Sequence, residues 1–261
     1  MVAPVSEVLV LCYHAVSETW PAGTSVRPGD LMAQLRMLAR RGYRGATLHD
    51  ALTAPKGPRT VAVTFDDAHR SVLELARPVL DEVGFPATVF VPTDYAGTGA
   101  PMAWEGYDRW LGTEHEPELR CLPWDDLLAL QESGWEIGSH TCSHPHLTRL
   151  TDEELERELV ESRHVCEART GRPCVSFAYP YSDHDDRTVE ATRRGGYGLA
   201  VTVGHGWEAP LPLRWPRVGV FHGNSPRRVQ GRVLRARRPL FDVGARELLR
   251  VARSARSALG R

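Results

Sequence analysis

Two short stretches of the chain gather residues able to do chemistry where a strand ends. In Val61-Ala-Val-Thr-Phe-Asp-Asp67 an apolar, β-branched run terminates in two adjacent carboxylates. In Gly138-Ser-His-Thr-Cys-Ser-His144-Pro-His146 a second run ends at His140, with another imidazole four residues later. Successive side chains at a strand end diverge, so one aspartate can hold a cation while its neighbour faces a substrate. Taken singly, an aspartate pair there serves equally well as a helix cap, and lone histidines are usually surface residues. The combination is more specific. Positions i and i+4 of a single turn point the same way, and Pro145 keeps that turn from continuing as a helix. Asp67, His140 and His144 thus form a candidate divalent-metal set with positions left open for water or substrate. Asp66 is then free to act as general base on an activated water, which is hydrolytic chemistry.

The elements that must position these groups alternate along the chain. Short buried-type strands are expected at Val8–Tyr13, Val61–Phe65, Ala87–Val91, Trp135–Gly138, Val175–Tyr179, Gly198–Val203 and Val218–Phe221. Helical patterns lie between them: Leu31–Arg41 capped by Asp30, Ser71–Val83 stopped by Gly84, Pro123–Ser133, a long helix opened by the Thr151–Glu154 capping box, and Asp186–Arg194. Trp104 to Leu122 reads as a surface excursion. Such alternation predicts an α/β fold with a parallel sheet. Seven strands favour a distorted, incomplete barrel over an open doubly wound sheet. No G-x-G-x-x-G or phosphate-loop pattern is present.

At 261 residues, with 42% hydrophobic and 25% charged residues, the chain suits one large domain and excludes disorder or a coiled coil. The net charge of −1 conceals an asymmetry: residues 227–261 carry eleven Arg against Asp242 and Glu247, so the remainder is acidic. That predicts a domain over 1–226 and a basic helical tail over 227–261. An acidic body argues against nucleic-acid binding by the main domain, whereas the tail could touch an anionic membrane surface or fold back on the body. Five cysteines without a C-x-x-C pair, and no basic residue ahead of the first apolar run, lead to the expectation of a cytoplasmic protein with reduced thiols.

Thr64-Phe-Asp-Asp67, His140-Thr-Cys-Ser-His144 and Phe177-Ala-Tyr-Pro-Tyr181, in that order, resemble the NodB-homology polysaccharide deacetylase family, carbohydrate esterase family four. The resemblance spans roughly Val8 to Arg228. It implies a distorted (β/α)7 barrel and metal-dependent removal of N- or O-acetyl groups from sugars, with zinc, or alternatively cobalt or nickel, as the ion. It also implies Asp66 as base, Asp67, His140 and His144 on the metal, and Pro180-Tyr181 as a groove wall, the Tyr181 backbone N–H helping to hold the oxyanion. The chain departs from the family in three places. Ala68 stands where a glycine is common, Ala178 where many members carry an arginine that orients the catalytic aspartate, and there is no Asp-x-x-Asp-Trp motif. Arg217, grouped with Pro180 and Tyr181 on the substrate side, is the candidate to replace the missing arginine.

The general acid must protonate a leaving amine, and histidine suits that task. His14 ends the first strand and His222 the last, and in a closed barrel these strands can be neighbours. The resemblance extends to exopolysaccharide deacetylases with a permuted motif order and a Tyr-His near the N-terminus, which favours His14. The expected substrate is an acetylated carbohydrate, and the expected reaction is N-deacetylation of an amino sugar. An O-acetyl esterase of the xylan type and a non-catalytic carbohydrate-binding relative are the alternatives. A two-His-one-carboxylate iron oxygenase is disfavoured by the βα pattern.

Overall fold

In the computed structural model of the chain, residues 8–236 are described, apart from 56, 58 and 205–209. Seven parallel strands form a ring: β1 (Leu9–Tyr13), β2 (Thr60–Phe65), β3 (Ala87–Val91), β4 (Glu136–Ser139), β5 (Ser176–Ala178), β6 (Leu199–Val203) and β7 (Trp215–Gly219). The ring closes because β1 pairs with both β2 and β7, Leu11 lying opposite Val63 on one side and Val218 on the other. It is distorted in two places. A short strand, Arg44–Ala46, pairs with the first half of β2 on the side where its second half pairs with β3. Between β4 and β5 only Ser139 and Phe177 are in register.

The period of two along each strand decides what enters the barrel. Val61, Val63 and Phe65 join the large apolar cluster beneath the helices, while Ala62 joins Val10, Phe90, Ala178 and Val201 in a second, smaller cluster. Along β2 the inward series continues from Ala62 through Thr64 to Asp66. Gly138 is required by this packing, because a Cβ there would lie 2.6 Å from the Phe90 ring. Near the strands' N-terminal ends, Glu136 accepts hydrogen bonds from Thr88 at 2.8 Å and Ser176 at 2.5 Å.

The helices follow the expected order with local differences. α1 (Pro28–Arg40) starts two residues before Asp30, with Pro28 in its first turn. Proline suits that position because its missing N–H would be unpaired there, and Asp30 then faces the positive end of the helix. α2 (Leu48–Thr53) was not foreseen. The segment after Asp67 begins as a π-helical stretch, Val72–Ala76, before α3 (Arg77–Val83). α4 (Trp124–Glu132), α5 (Asp152–Thr170) and α6 (Asp186–Arg194) lie where the periodicity puts them, and α5 carries the Thr151–Glu154 capping box. The expected basic tail begins as α7 (Pro226–Ala236), while residues 237–261 lie outside the described ones. All five cysteines are buried and unpaired. Among the described residues no helix is long and apolar enough to cross a membrane.

Candidate active site

The C-terminal ends of β2, β4 and β5 carry the three motifs, the end of a parallel barrel where catalytic groups collect. Backbone strain collects there too. The non-glycine residues with positive φ among the described residues are Asp67, Ala68, Thr141, His144, Tyr181 and Ser182, two on each of the three strand-end turns. L-residues adopt this conformation at a cost and keep it where the surroundings enforce it. It also corrects the expected single helical turn at His140–His144. With Thr141 and His144 both left-handed, the imidazoles converge through a strained loop.

Glu158 of α5 stabilises that loop. Its buried carboxylate accepts from the backbone N–H of Cys142 at 2.8 Å and of Ser143 at 2.9 Å, and from the Ser143 hydroxyl at 2.7 Å. His140 Nδ1 lies 2.8 Å from the Ala178 carbonyl, which can only accept; Nδ1 therefore carries the proton and Nε2 is left with a lone pair. His140 Nε2 and His144 Nε2 lie 3.4 and 3.5 Å from Asp67 Oδ1. The ligand atoms of these three residues all fall within 4.8 Å of one another. Asp67 Oδ1 and His144 Nδ1 are buried with no hydrogen-bond partner among the described residues. An orphaned carboxylate oxygen facing two imidazole nitrogens fits a divalent cation, and the N,N,O donor set suits zinc or a neighbouring transition metal. Burial lowers His144 to about 3, favouring the neutral, ligating form. Burial works against an ionised Asp67, but the facing His140 and His69 side chains outweigh it and hold the carboxyl well below the usual range.

Asp66 points the other way, into the barrel mouth. Burial would raise its pKa, yet the Arg217 guanidinium holds it at about 2. Arg217 Nη1 donates to Oδ1 at 2.6 Å and Nη2 to Oδ2 at 2.7 Å, while Nη1 also reaches Thr64 Oγ1 at 3.0 Å. The Cys12 thiol donates to Oδ2 at 3.4 Å. Arg217 is therefore buried behind Asp66 and does not line the cavity; inward parity on β7 aims it at the carboxylate instead of the substrate side.

A cavity of about 360 Å³ opens over these groups, lined by His14, Asp66, Asp67, His140, His144 and Tyr181 together with an aromatic wall of Trp104, Tyr107 and Phe221. His14 Nε2 lies 3.9 Å from Asp66 Oδ2, and burial draws its pKa below the usual histidine value. His222 is exposed and outside the cavity lining. β7 ends at Gly219, earlier than the periodicity suggests, and the ring brought to the site from this turn is that of Phe221. Pro180 is buried and outside the cavity lining, whereas Tyr181 is 39% exposed and stacks on His146 with ring centroids 4.0 Å apart.

The largest correction concerns Trp104–Leu122, which is more than a surface excursion: Glu105 and residues 111–114 are exposed, but Trp104, Tyr107 and Leu119 are buried. Trp104 stacks on His144 at 4.0 Å, and the Tyr107 hydroxyl donates to Asp67 Oδ2 at 2.7 Å. Burial pushes the Tyr107 phenol well up, so it stays a proton donor. His69, directly after Ala68, is fully buried beside it. The only signal in the sequence was the density of aromatic residues in that segment.

Comparison with known proteins agrees with this geometry. The profile of the family described as polysaccharide deacetylase matches residues 53–200. YxkH of Bacillus subtilis (strain 168) is 26% identical over 201 residues, covering 74% of this chain; the chain spans 63% of that relative's length. Among solved structures, the Streptococcus pyogenes deacetylase PplD superposes with a TM-score of 0.73 at 22% identity, over 86% of this chain and 96% of PplD. BC0361, a polysaccharide deacetylase from Bacillus cereus, gives 0.71 at 25% identity, over 87% of this chain and 68% of its own. With its motifs in order on the ends of a closed seven-stranded parallel barrel, the chain belongs to the polysaccharide deacetylase family.

Proposed function

We propose that this protein is a metal-dependent N-deacetylase acting on an N-acetylated amino sugar, free or within a glycan. One observation carries the reading: Asp67 Oδ1, His140 Nε2 and His144 Nε2 converge on one point, beside an Asp66 held ionised in the same cavity. A divalent ion there would polarise the acetyl carbonyl and make water a stronger nucleophile at neutral pH.

The chain's own residues supply the remaining steps. Asp66, kept as a carboxylate by Arg217, accepts the proton of the attacking water as its oxygen bonds to the carbonyl carbon. The Tyr181 backbone N–H helps hold the developing oxyanion, as the family resemblance implies. His14 delivers a proton to the departing nitrogen as the C–N bond breaks, giving acetate and a free amine. Trp104, Tyr107 and Phe221 give the cavity an aromatic wall against which a sugar ring can lie.

Acetate release across chitooligosaccharides, nucleotide sugars, small acetylated glycosides and acetylated xylan tests the proposal. Release from the amides supports it. Release from acetylated xylan alone would make the protein an O-acetyl esterase, and a metal-loaded protein that binds sugars without releasing acetate would make it a carbohydrate-binding relative.

A further inference from the structure

Asp67 divides its two oxygens between different tasks. Oδ1 faces the two histidines, and Oδ2 accepts from the Tyr107 hydroxyl at 2.7 Å. Tyr107 is itself held. His69 Nε2 lies 2.9 Å from the same phenolic oxygen, and the Thr24 hydroxyl lies 3.3 Å away. His69 Nδ1 in turn lies 2.9 Å from the Glu118 carbonyl, which anchors the ring. Trp20 packs against both rings, at 5.7 Å from each.

The backbone ties this assembly to the metal-ligand turn. Leu122 N–H donates to the Ala68 carbonyl at 2.8 Å and Arg70 N–H to the Arg120 carbonyl at 2.9 Å, bracketing an antiparallel bridge between His69 and Cys121. The same segment places Trp104 flat on His144. Two of the three candidate ligands are thus braced by residues 104–122, and among the described residues Asp67 Oδ2 has one further neighbour on that side, His69 Nε2 at 3.6 Å.

We infer that Tyr107, held by His69, is a positioning residue that fixes Asp67 as a one-oxygen ligand, and that the Trp104–Leu122 segment is the outer brace of the metal site. This inference rests on the ligand set of the proposed function. A carboxylate free to rotate would present either oxygen to the cation, or both, and would lose the preorganised geometry. Outer partners of metal ligands typically contribute about 10–100-fold in metal affinity.

The test measures zinc affinity of the full chain by competition with a chromophoric chelator, and the visible spectrum of the cobalt-substituted protein, with no substrate present. Tyr107→Phe keeps the ring among Trp20, Trp104 and His69 and removes only the hydroxyl. It is expected to weaken zinc binding by about 10–100-fold and to alter the cobalt spectrum. Tyr13→Phe removes another buried hydroxyl, bonded to Gln34 on the helix side of β1, and is expected to leave both readouts unchanged. His69→Gln, which slackens Tyr107 without removing it, should weaken zinc by roughly 10-fold, the lower end of the range for outer partners. If Tyr107→Phe does not fold, His69→Gln decides alone. Wild-type affinity and spectrum in the folded Tyr107 variant, or in the His69 variant where it decides, would overturn the inference and leave the proposed function standing. A wild-type protein that binds neither ion would overturn the ligand set and the inference together.

Discussion

Arg217 grips both carboxylate oxygens of Asp66 across the barrel interior, at 2.6 and 2.7 Å, although 151 positions separate them in the chain. The pair is buried, with Thr64, Cys12 and the Thr202 carbonyl around it. A fork of this kind sets orientation as well as charge, because two parallel N–H donors fix the plane of the carboxylate. It supplies, from the last strand, the arginine that Ala178 leaves out of the third motif.

Replacing Arg217 by Gln should therefore do two things. Removing one partner of a buried ion pair is expected to cost about 3–5 kcal/mol of stability, measured by chemical denaturation. It should also raise the Asp66 pKa, since burial would then be opposed only by the weaker pull of His140 and His14. In the wild type, Asp66 titrates at about 2 in the fold, against about 3.9 unfolded. Its stabilising contribution is complete above about 3.9 and is lost as pH falls through about 2. Asp66 accordingly does not set the acid limb of kcat/KM in the wild type. In Arg217→Gln that limb should move upward by more than a pH unit. An unchanged profile would show that Arg217 does not govern the ionisation of the base.

The two adjacent aspartates should separate cleanly on substitution. Asp66→Asn is expected to retain bound metal while kcat falls by about 10²–10⁴, the usual worth of a general base. Asp67→Asn should lose the metal, because it replaces the anionic oxygen facing His140 and His144. Elemental analysis beside acetate release reads both outcomes, and loss of metal from Asp66→Asn would mean that the roles are exchanged.

His14 and His222 can be distinguished by leaving group. His14→Ala should slow turnover of an acetamide without changing metal content, and should slow an activated acetate ester much less, because that leaving group needs no proton. His222→Ala should show neither effect, consistent with its exposed position outside the cavity. An amide-selective loss in His222→Ala alone would move the acid to the last strand.

Glu158→Gln probes the loop between the two histidines. The amide keeps the size but supplies one acceptor oxygen where the carboxylate supplies two, to the N–H groups of Cys142 and Ser143 and to the Ser143 hydroxyl. Leaving a buried donor unmet costs about 1–3 kcal/mol. The expected result is a lower melting temperature together with weaker zinc binding, as the strained Thr141–His144 turn relaxes. A destabilised variant with unchanged zinc affinity would confine Glu158 to holding the fold.

The strand–helix alternation, the barrel class and the identity of the metal-ligand candidates are legible along the chain. These are local properties: the period of two ends where Asp66 and His140 begin, and capping signals such as Thr151–Glu154 mark the helices. What surrounds those residues emerges when the barrel closes. Closure of β1 onto β2 and β7 brought Arg217 to Asp66 and put His14 in the cavity, while the early end of β7 left His222 outside. The folding back of residues 101–122 onto the turn after Asp67 converted an aromatic-rich segment from apparent surface into the wall that holds Tyr107 and Trp104 against two ligands. Hydrophobic period and turn chemistry are written over a few residues, whereas cross-strand neighbours depend on which strands close the ring and on the register at which they pair.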